Sequence, residues 1–335
     1  MKLGRALIPG GDGPVARVVA LAQNGEQAVD VRRVERLRLE RAGVGASAAA
    51  RIAEAVVPGS MAAAIETGPP FVEAAQQAAL DATGDAVVAI EDGTLLAPLD
   101  PSSFRDFMAF AQHFETAYRL GGAEPPEVLY ELPVSYLANH EAIIGPGAEM
   151  PWPSYSRHMD YELELGIVIG KPGTDLTPES AVDHIFGYTI LNDFSARDIQ
   201  LREMGGRLGP SKGKHFASAV GPWIVTADAL GDRLEMIARV NGETWSHGYS
   251  DSIMWSIPEL VAWASAGEPL VPGALLGTGT VGGGCGHELG RQLSPGDVVE
   301  LEIEGIGVLR NTLGAPGEPA WTPAPKRRAV QEELT

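Results

Sequence analysis

Cysteine is almost missing from this 335-residue chain: Cys285 is the only one. No intrachain disulfide can form, which excludes the cross-linked scaffolds of secreted proteins and fits a reducing cytoplasm. Long apolar runs are missing too. No uninterrupted stretch has transmembrane length, and the opening MKLGRALIPGGDG lacks the apolar segment of a signal peptide, so a soluble, unexported protein is expected. Basic residues are the minority charge, 25 Lys and Arg against 44 Asp and Glu, giving a net charge of −19. A chain this acidic would be repelled by phosphate backbones and anionic membrane surfaces, so neither nucleic acid nor membrane is expected as a partner. An anionic substrate would need local cations, since net charge describes long-range fields and not site chemistry.

What is present is an apolar content of 44%, ample for a real core, in a chain long enough for one large domain and a smaller one. Short β-rich runs (Val15 to Ala22, Ala86 to Ile90) alternate with helical stretches (Ala48 to Val57, Phe71 to Ala82), which predicts a small α/β cap over residues 1–98. The prolines of Leu96 to Pro101 precede a serine-capped helical pattern beginning at Ser102, and mark the boundary. From Val128 to Thr312 short apolar or alternating runs punctuated by Gly, Pro and Asn-Asp predict a β-rich domain, with one helix near Ile257 to Ala266. The expected organisation is α+β and β-rich: a cap at 1–98, a catalytic domain at 99–315 and a surface tail at 316–335.

Three motifs fail on context. Gly277, Gly279 and Gly282 have dinucleotide-binding spacing, but Gly283 and Gly284 follow directly and leave no helix start. His287 and Glu288 begin an H-E-x-x-H zinc motif whose second histidine position is Arg291. Gly213-Lys214 lacks the glycine spacing and the following hydroxyl of a phosphate loop.

The carboxylates are more informative. In Asp160 to Ile169, Tyr161, Leu163 and Leu165 alternate with Asp160, Glu162 and Glu164, so a strand here places Glu162 and Glu164 on one face. Taken alone, this could equally be the solvated face of a half-buried strand. Asp193 ends the apolar run Tyr188 to Leu191 and could point from a strand end into a cleft, or simply form a turn. Were the three to converge, each pair at about 4 Å would repel by roughly 4 kcal/mol at an effective dielectric near 20. A hard cation would relieve this: Mg2+, with Mn2+ or Ca2+ able to substitute. Asp106 and His113 are seven residues apart in the expected helical pattern, which would bring both to one face.

Glu162-Leu-Glu164, Asn192 to Gln200, Gly213-Lys214-x-Phe216, Gly277-Thr-Gly-Thr280 and Gly305 to Asn311, together with Asp106, His113 and Leu132 to Gly145, resemble the fumarylacetoacetate hydrolase family in order and approximate spacing. The resemblance implies a mixed β-sandwich roll, a homodimer and one divalent ion held by Glu162, Glu164 and Asp193, with Asp106 matching a fourth ligand. It implies that His113, paired with Glu288, activates water, and that Lys214 and Gln200 hold substrate oxygens as charge develops. Thr280 and Gly279 match the family's substrate loop. Where that family carries tyrosines near the substrate this chain has Met108 and Met204, which cannot donate a hydrogen bond to a carboxylate. The family's substrate-binding arginine is absent from its usual offset, leaving Arg119 or Arg202 as stand-ins.

The leading expectation is hydrolysis of a carbon–carbon bond in a small 1,3-dicarbonyl acid such as an acylpyruvate. Relatives decarboxylate β-keto acids or isomerise unsaturated 2-oxo diacids through a common enolate, and kinship alone does not choose among these. A non-catalytic small-molecule binding protein is the further alternative, which the presence of both His113 and Glu288 opposes.

Overall fold

The computed structural model describes residues 1–11, 13–25, 27–81, 84–88 and 94–326. Its spine is a twelve-stranded sheet whose main path runs Val87–Val88, Ala28–Asp30, Gly13–Leu21, Lys2–Gly10, Ser218–Thr226, Ile185–Asn192, Leu163–Ile169, Leu275–Gly277, Phe104–Phe107, Ser135–Leu137. A five-stranded sheet built on Glu235–Val240 and Val298–Ile303 lies beside it. Among the described residues no helix is long and apolar enough to cross a membrane.

The strand-rich, mixed architecture agrees with the sequence reading. Gly13–Leu21 overlaps the first predicted strand in all but its last residue, and the helices Ala46–Val56, Pro69–Leu80 and Ile257–Ser265 fall within two residues of where periodicity places them. Ala82 and the end of the Ala86 to Ile90 run lie outside the described residues, as do the last nine of the tail. The N-terminal strands join the same sheet as the site: Lys2 and Leu3 pair with Val225 and Ile224. One apolar cluster accordingly spans both regions, with Leu3, Val18 and Phe71 packed in common with Leu191, Val220 and Leu275.

One expectation is overturned. The helical pattern from Ser102 is not a helix: Phe104–Phe107 is a strand, parallel to Leu275–Gly277 and antiparallel to Ser135–Leu137, and the helix begins only at Ala111. Asp106 and His113 therefore reach one region from a strand and from a helix. A four-residue segment is too short for its period to separate strand from helix, and pairing with residues about 30 and 170 positions away decides it.

Candidate active site

Strand register brings the acids together. Leu163–Ile169 is flanked by Ile185–Asn192 on one side and Leu275–Gly277 on the other, and the latter pairs Gly277 with Asp106. Glu162 and Glu164 share a face by alternation, and Asp193 follows immediately where the neighbouring strand ends. Each of Asp106, Glu162, Glu164 and Asp193 offers a carboxylate oxygen within 4.8 Å of the others, and none is more than 4% exposed. The solvated-face alternative for Glu162 and Glu164 is thereby excluded.

Two cations answer these four carboxylates. Lys214 Nζ donates to Glu162 Oε2 and Asp193 Oδ2, each at 2.5 Å. Arg197 pairs with Glu162 Oε1 at 2.7 Å and, through Nε and Nη2, with Asp160 Oδ2 at 2.9 and 2.7 Å. Tyr136 and Ser218 add hydroxyl donors to Asp193 at 2.7 and 3.2 Å. Burial pushes the Glu162 carboxyl up, but Lys214 and Arg197 outweigh it and hold Glu162 well below the usual carboxylate range. Asp106 lies well above that range, through burial first and then Asp193; Glu164 does too, through burial and then Asp106.

The donor set fits a hard divalent ion. All four donors are carboxylate oxygens, and Asp106 Oδ1 is buried without a hydrogen-bond partner. A Cβ at Gly277 would collide with that same oxygen, so only glycine leaves Asp106 its position. Glu164 is held by the Gly279 amide at 3.1 Å and the Thr280 hydroxyl at 3.3 Å. A second group, His113, Cys285 and Glu288, also lies within 4.8 Å, but burial pushes the Cys285 thiol well up and keeps it protonated.

The His113–Glu288 pair is present. His113 Nδ1 lies 2.7 Å from Glu288 Oε2, with the two side chains 11% and 2% exposed, so His113 is no surface histidine. A carboxylate facing Nδ1 makes that nitrogen the donor and leaves Nε2 as the acceptor. Glu288 is itself fixed by the Gly283 amide at 3.0 Å and the Cys285 thiol at 3.3 Å. The loop from Gly277 to Gly284 therefore touches both centres: its first half holds Glu164, its second half Glu288.

Gln200 sits one turn after Arg197 in the helix Arg197–Met204, and its Oε1 accepts from Arg197 Nη1 at 3.0 Å. Gly279 has φ +82°, and a Cβ there would lie 2.5 Å from Phe107 O, next to the half-buried Met108. Met204 ends its helix 43% exposed, and Arg119 and Arg202 are exposed as well. Sequence reasoning assigned no role to Asp160, Tyr136, Ser218 or Arg197. Arg197 could have been found from its place three residues before Gln200 on one helix face, and Asp160 from its alternation with Glu162.

The chain belongs to the fumarylacetoacetate hydrolase family: the model of the fumarylacetoacetate (FAA) hydrolase C-terminal region matches residues 102–314. Among its relatives, the oxaloacetate tautomerase YisK of Bacillus subtilis is 33% identical over 272 residues, 77% of this chain and 87% of that protein. The human mitochondrial oxaloacetate tautomerase FAHD2A is 35% identical over 184 residues, 54% of this chain and 59% of that one. Among solved structures, the fumarylacetoacetate hydrolase EaFAH of Exiguobacterium antarcticum superposes with a TM-score of 0.69 at 28% identity, covering 94% of this chain and 99% of that chain. A 2-hydroxyhepta-2,4-diene-1,7-dioate isomerase from Mycobacterium marinum gives 0.64 at 27% identity, covering 95% and 100%.

Proposed function

We propose that this protein is a divalent-metal-dependent enzyme, Mg2+ being the natural ion, that interconverts the enol and keto forms of a small 2-oxo dicarboxylic acid. The carrying observation is the buried four-carboxylate cluster with Lys214 set into it and the His113–Glu288 pair beside it. The oxaloacetate tautomerases among the relatives favour this reaction over the carbon–carbon hydrolysis expected from the sequence.

The residues divide the work. Asp106, Glu162, Glu164 and Asp193 would hold the ion, which when bound acts as a Lewis acid on the 2-oxo group. Lys214 has three N–H donors and spends two on Glu162 and Asp193, leaving one for a substrate oxygen. Gln200 has its oxygen engaged by Arg197, so its amide N–H groups remain for the substrate. Both donors suit an enolate, where negative charge gathers on oxygen. His113 Nε2 takes the proton from the enol hydroxyl or from the carbon beside the carbonyl and returns it at the other position, with Glu288 stabilising the imidazolium in between. No water is consumed.

The second reading, hydrolysis of an acylpyruvate, is favoured by the same 2.7 Å pair, since a histidine backed by a carboxylate also activates water. One experiment separates them. Ketonisation of enol-oxaloacetate is followed by its ultraviolet absorbance with and without Mg2+, and acetylpyruvate cleavage is followed in oxygen-18 water. Metal-dependent ketonisation without cleavage is the expected result; cleavage with label in the released acid and no accelerated ketonisation would overturn the tautomerase reading. The reading includes a cytoplasmic setting, supported by the single buried Cys285, and a homodimer, which sedimentation would check.

A further inference from the structure

The four carboxylates have a counterpart of opposite sign at the other end of the sheet. A recess of about 450 Å3 lies between the strand Gly13–Leu21 and the helices Val31–Arg41 and Ala46–Val56, lined by Arg17, Arg32, Arg33 and Arg36 with Asp30 and Glu54. Among the described residues it therefore gathers four guanidinium groups against two carboxylates, in a chain whose net charge is −19. The strand carrying Arg17 is separated from the one preceding Asp193 by two intervening strands, so the recess is distinct from the carboxylate centre.

The neighbouring carboxylates engage only part of these guanidinium groups. Arg32 and Arg33 occupy the first turn of their helix, where the backbone dipole disfavours cations and where no acidic residue is present. Asp30, the nearest acid to Arg17, uses Oδ1 to cap that helix through the Arg33 amide at 3.1 Å, and its Oδ2 stands 3.8 Å from Arg17 Nε. Arg17 otherwise makes one long bond, 3.5 Å, to the Ala16 carbonyl. Arg32 is anchored by Val57 O at 2.7 Å and Glu54 at 3.0 Å, which leaves Nη2 unused. Arg36 gives only Nε to Glu40, at 2.8 Å. Burial, and next the Arg17 charge, pull the Arg32 guanidinium below its ordinary value, a mark of crowding between like charges. Among the described residues, Nη2 of Arg32 and the two Nη groups of Arg36 thus border a cavity of ligand size with no hydrogen bond to a protein acceptor.

We propose that this recess binds a small oxyanion, a polycarboxylate or a phosphate compound, at a site separate from the active centre. Planar guanidinium forks match both anions, and a negative ligand would add to the partial relief that Asp30 and Glu54 give Arg17 and Arg32. The site stands whether or not the tautomerase reading holds.

Calorimetry with inorganic phosphate and with propane-1,2,3-tricarboxylate tests it, on metal-stripped protein so that the active centre cannot take the acid through an ion, and again on the Mg2+-loaded enzyme. Saturable binding of at least one probe is expected in both, and the tighter of the two identifies the source. Replacing Arg17 and Arg36 together by glutamine should weaken that binding by about tenfold or more while basal turnover stays within about twofold. Ala50→Glu, which places a carboxylate in the recess wall, should abolish probe binding and raise Tm without removing any arginine. Absence of saturable binding in the parent would overturn the proposal, as would binding that survives both the double substitution and Ala50→Glu.

Discussion

His113→Ala separates the base from the metal site. Among the described residues His113 supplies the imidazole bonded to Glu288, a side chain 2% exposed whose Oε2 would be left with the Cys285 thiol at 3.3 Å. A charge-assisted hydrogen bond of this kind contributes about 1.5–3 kcal/mol, which at about 2–4 °C per kcal/mol corresponds to a Tm lower by roughly 3–12 °C. Loss of a positioned base costs about two to four orders of magnitude in rate, or roughly 2.7–5.4 kcal/mol of transition-state stabilisation. Metal affinity should hardly change, because His113 is not among the four clustered carboxylates. The assays are kcat for enol-oxaloacetate ketonisation at saturating Mg2+ and Mg2+ titration by calorimetry, on one preparation whose folding is checked by circular dichroism. Glu288→Gln serves as a milder companion that keeps the shape and removes the charge. Turnover within about threefold of the parent, or loss of Mg2+ binding together with turnover, would refute this division of roles.

Glu164→Gln should weaken Mg2+ binding by at least about tenfold in the same titration, and an unchanged isotherm would remove Glu164 from the ligand set. Gly277→Ala should act on the metal from a distance by displacing Asp106, so its isotherm should resemble that of Asp106→Asn; a parental isotherm for both would exclude Asp106 as a ligand. Lys214→Met should cut turnover by about two orders of magnitude or more, and near-parental kcat would show that its third N–H donor does not serve the substrate. Chelation with EDTA should abolish turnover and lower Tm, because among the described residues it leaves Lys214 and Arg197 as the cations paired with the four-carboxylate cluster; full activity after exhaustive chelation would exclude metal dependence.

Much of the site could be read before the fold was known, for identifiable reasons. Glu162 and Glu164 lie two apart in a strand, so local periodicity alone puts them on one face, and an acid just past an apolar run marks a strand end at Asp193. Asp106 was placed on the wrong element because Phe104–Phe107 takes its conformation from distant partners. The N-terminal strands illustrate the same limit: Val15 to Ala22 reads as β structure, but its neighbour Lys2–Gly10 was not read as a strand, and the pairing of Lys2–Gly10 with Ser218–Thr226 spans more than two hundred residues of chain. Tyr136, Ser218, Asp160 and Arg197 were passed over because each acts through contacts made only in the folded state. An exposed tyrosine and a half-buried one bonded to Asp193 look alike in sequence.

Asp160 limits how this enzyme can be redesigned. Its carboxylate receives the Arg197 guanidinium, the Gly286 amide at 2.8 Å and the His287 amide at 3.0 Å, so it joins the helix bearing Gln200 to the short turn bearing Glu288. Arg197 in turn grips Glu162 and Gln200. A library that varies Arg197 or Gln200 to change substrate preference would therefore disturb the turn bearing Glu288 and the carboxylate cluster together, and most of its members would fail for reasons unrelated to substrate fit. Productive variation belongs at Leu201 and Met204, which neighbour Arg197 and Gln200 along the same helix face but are 65% and 43% exposed and have apolar side chains that take no part in these bonds. Families of this enzyme with altered substrates should accordingly differ there first, while the Asp160–Arg197 joint stays rigid.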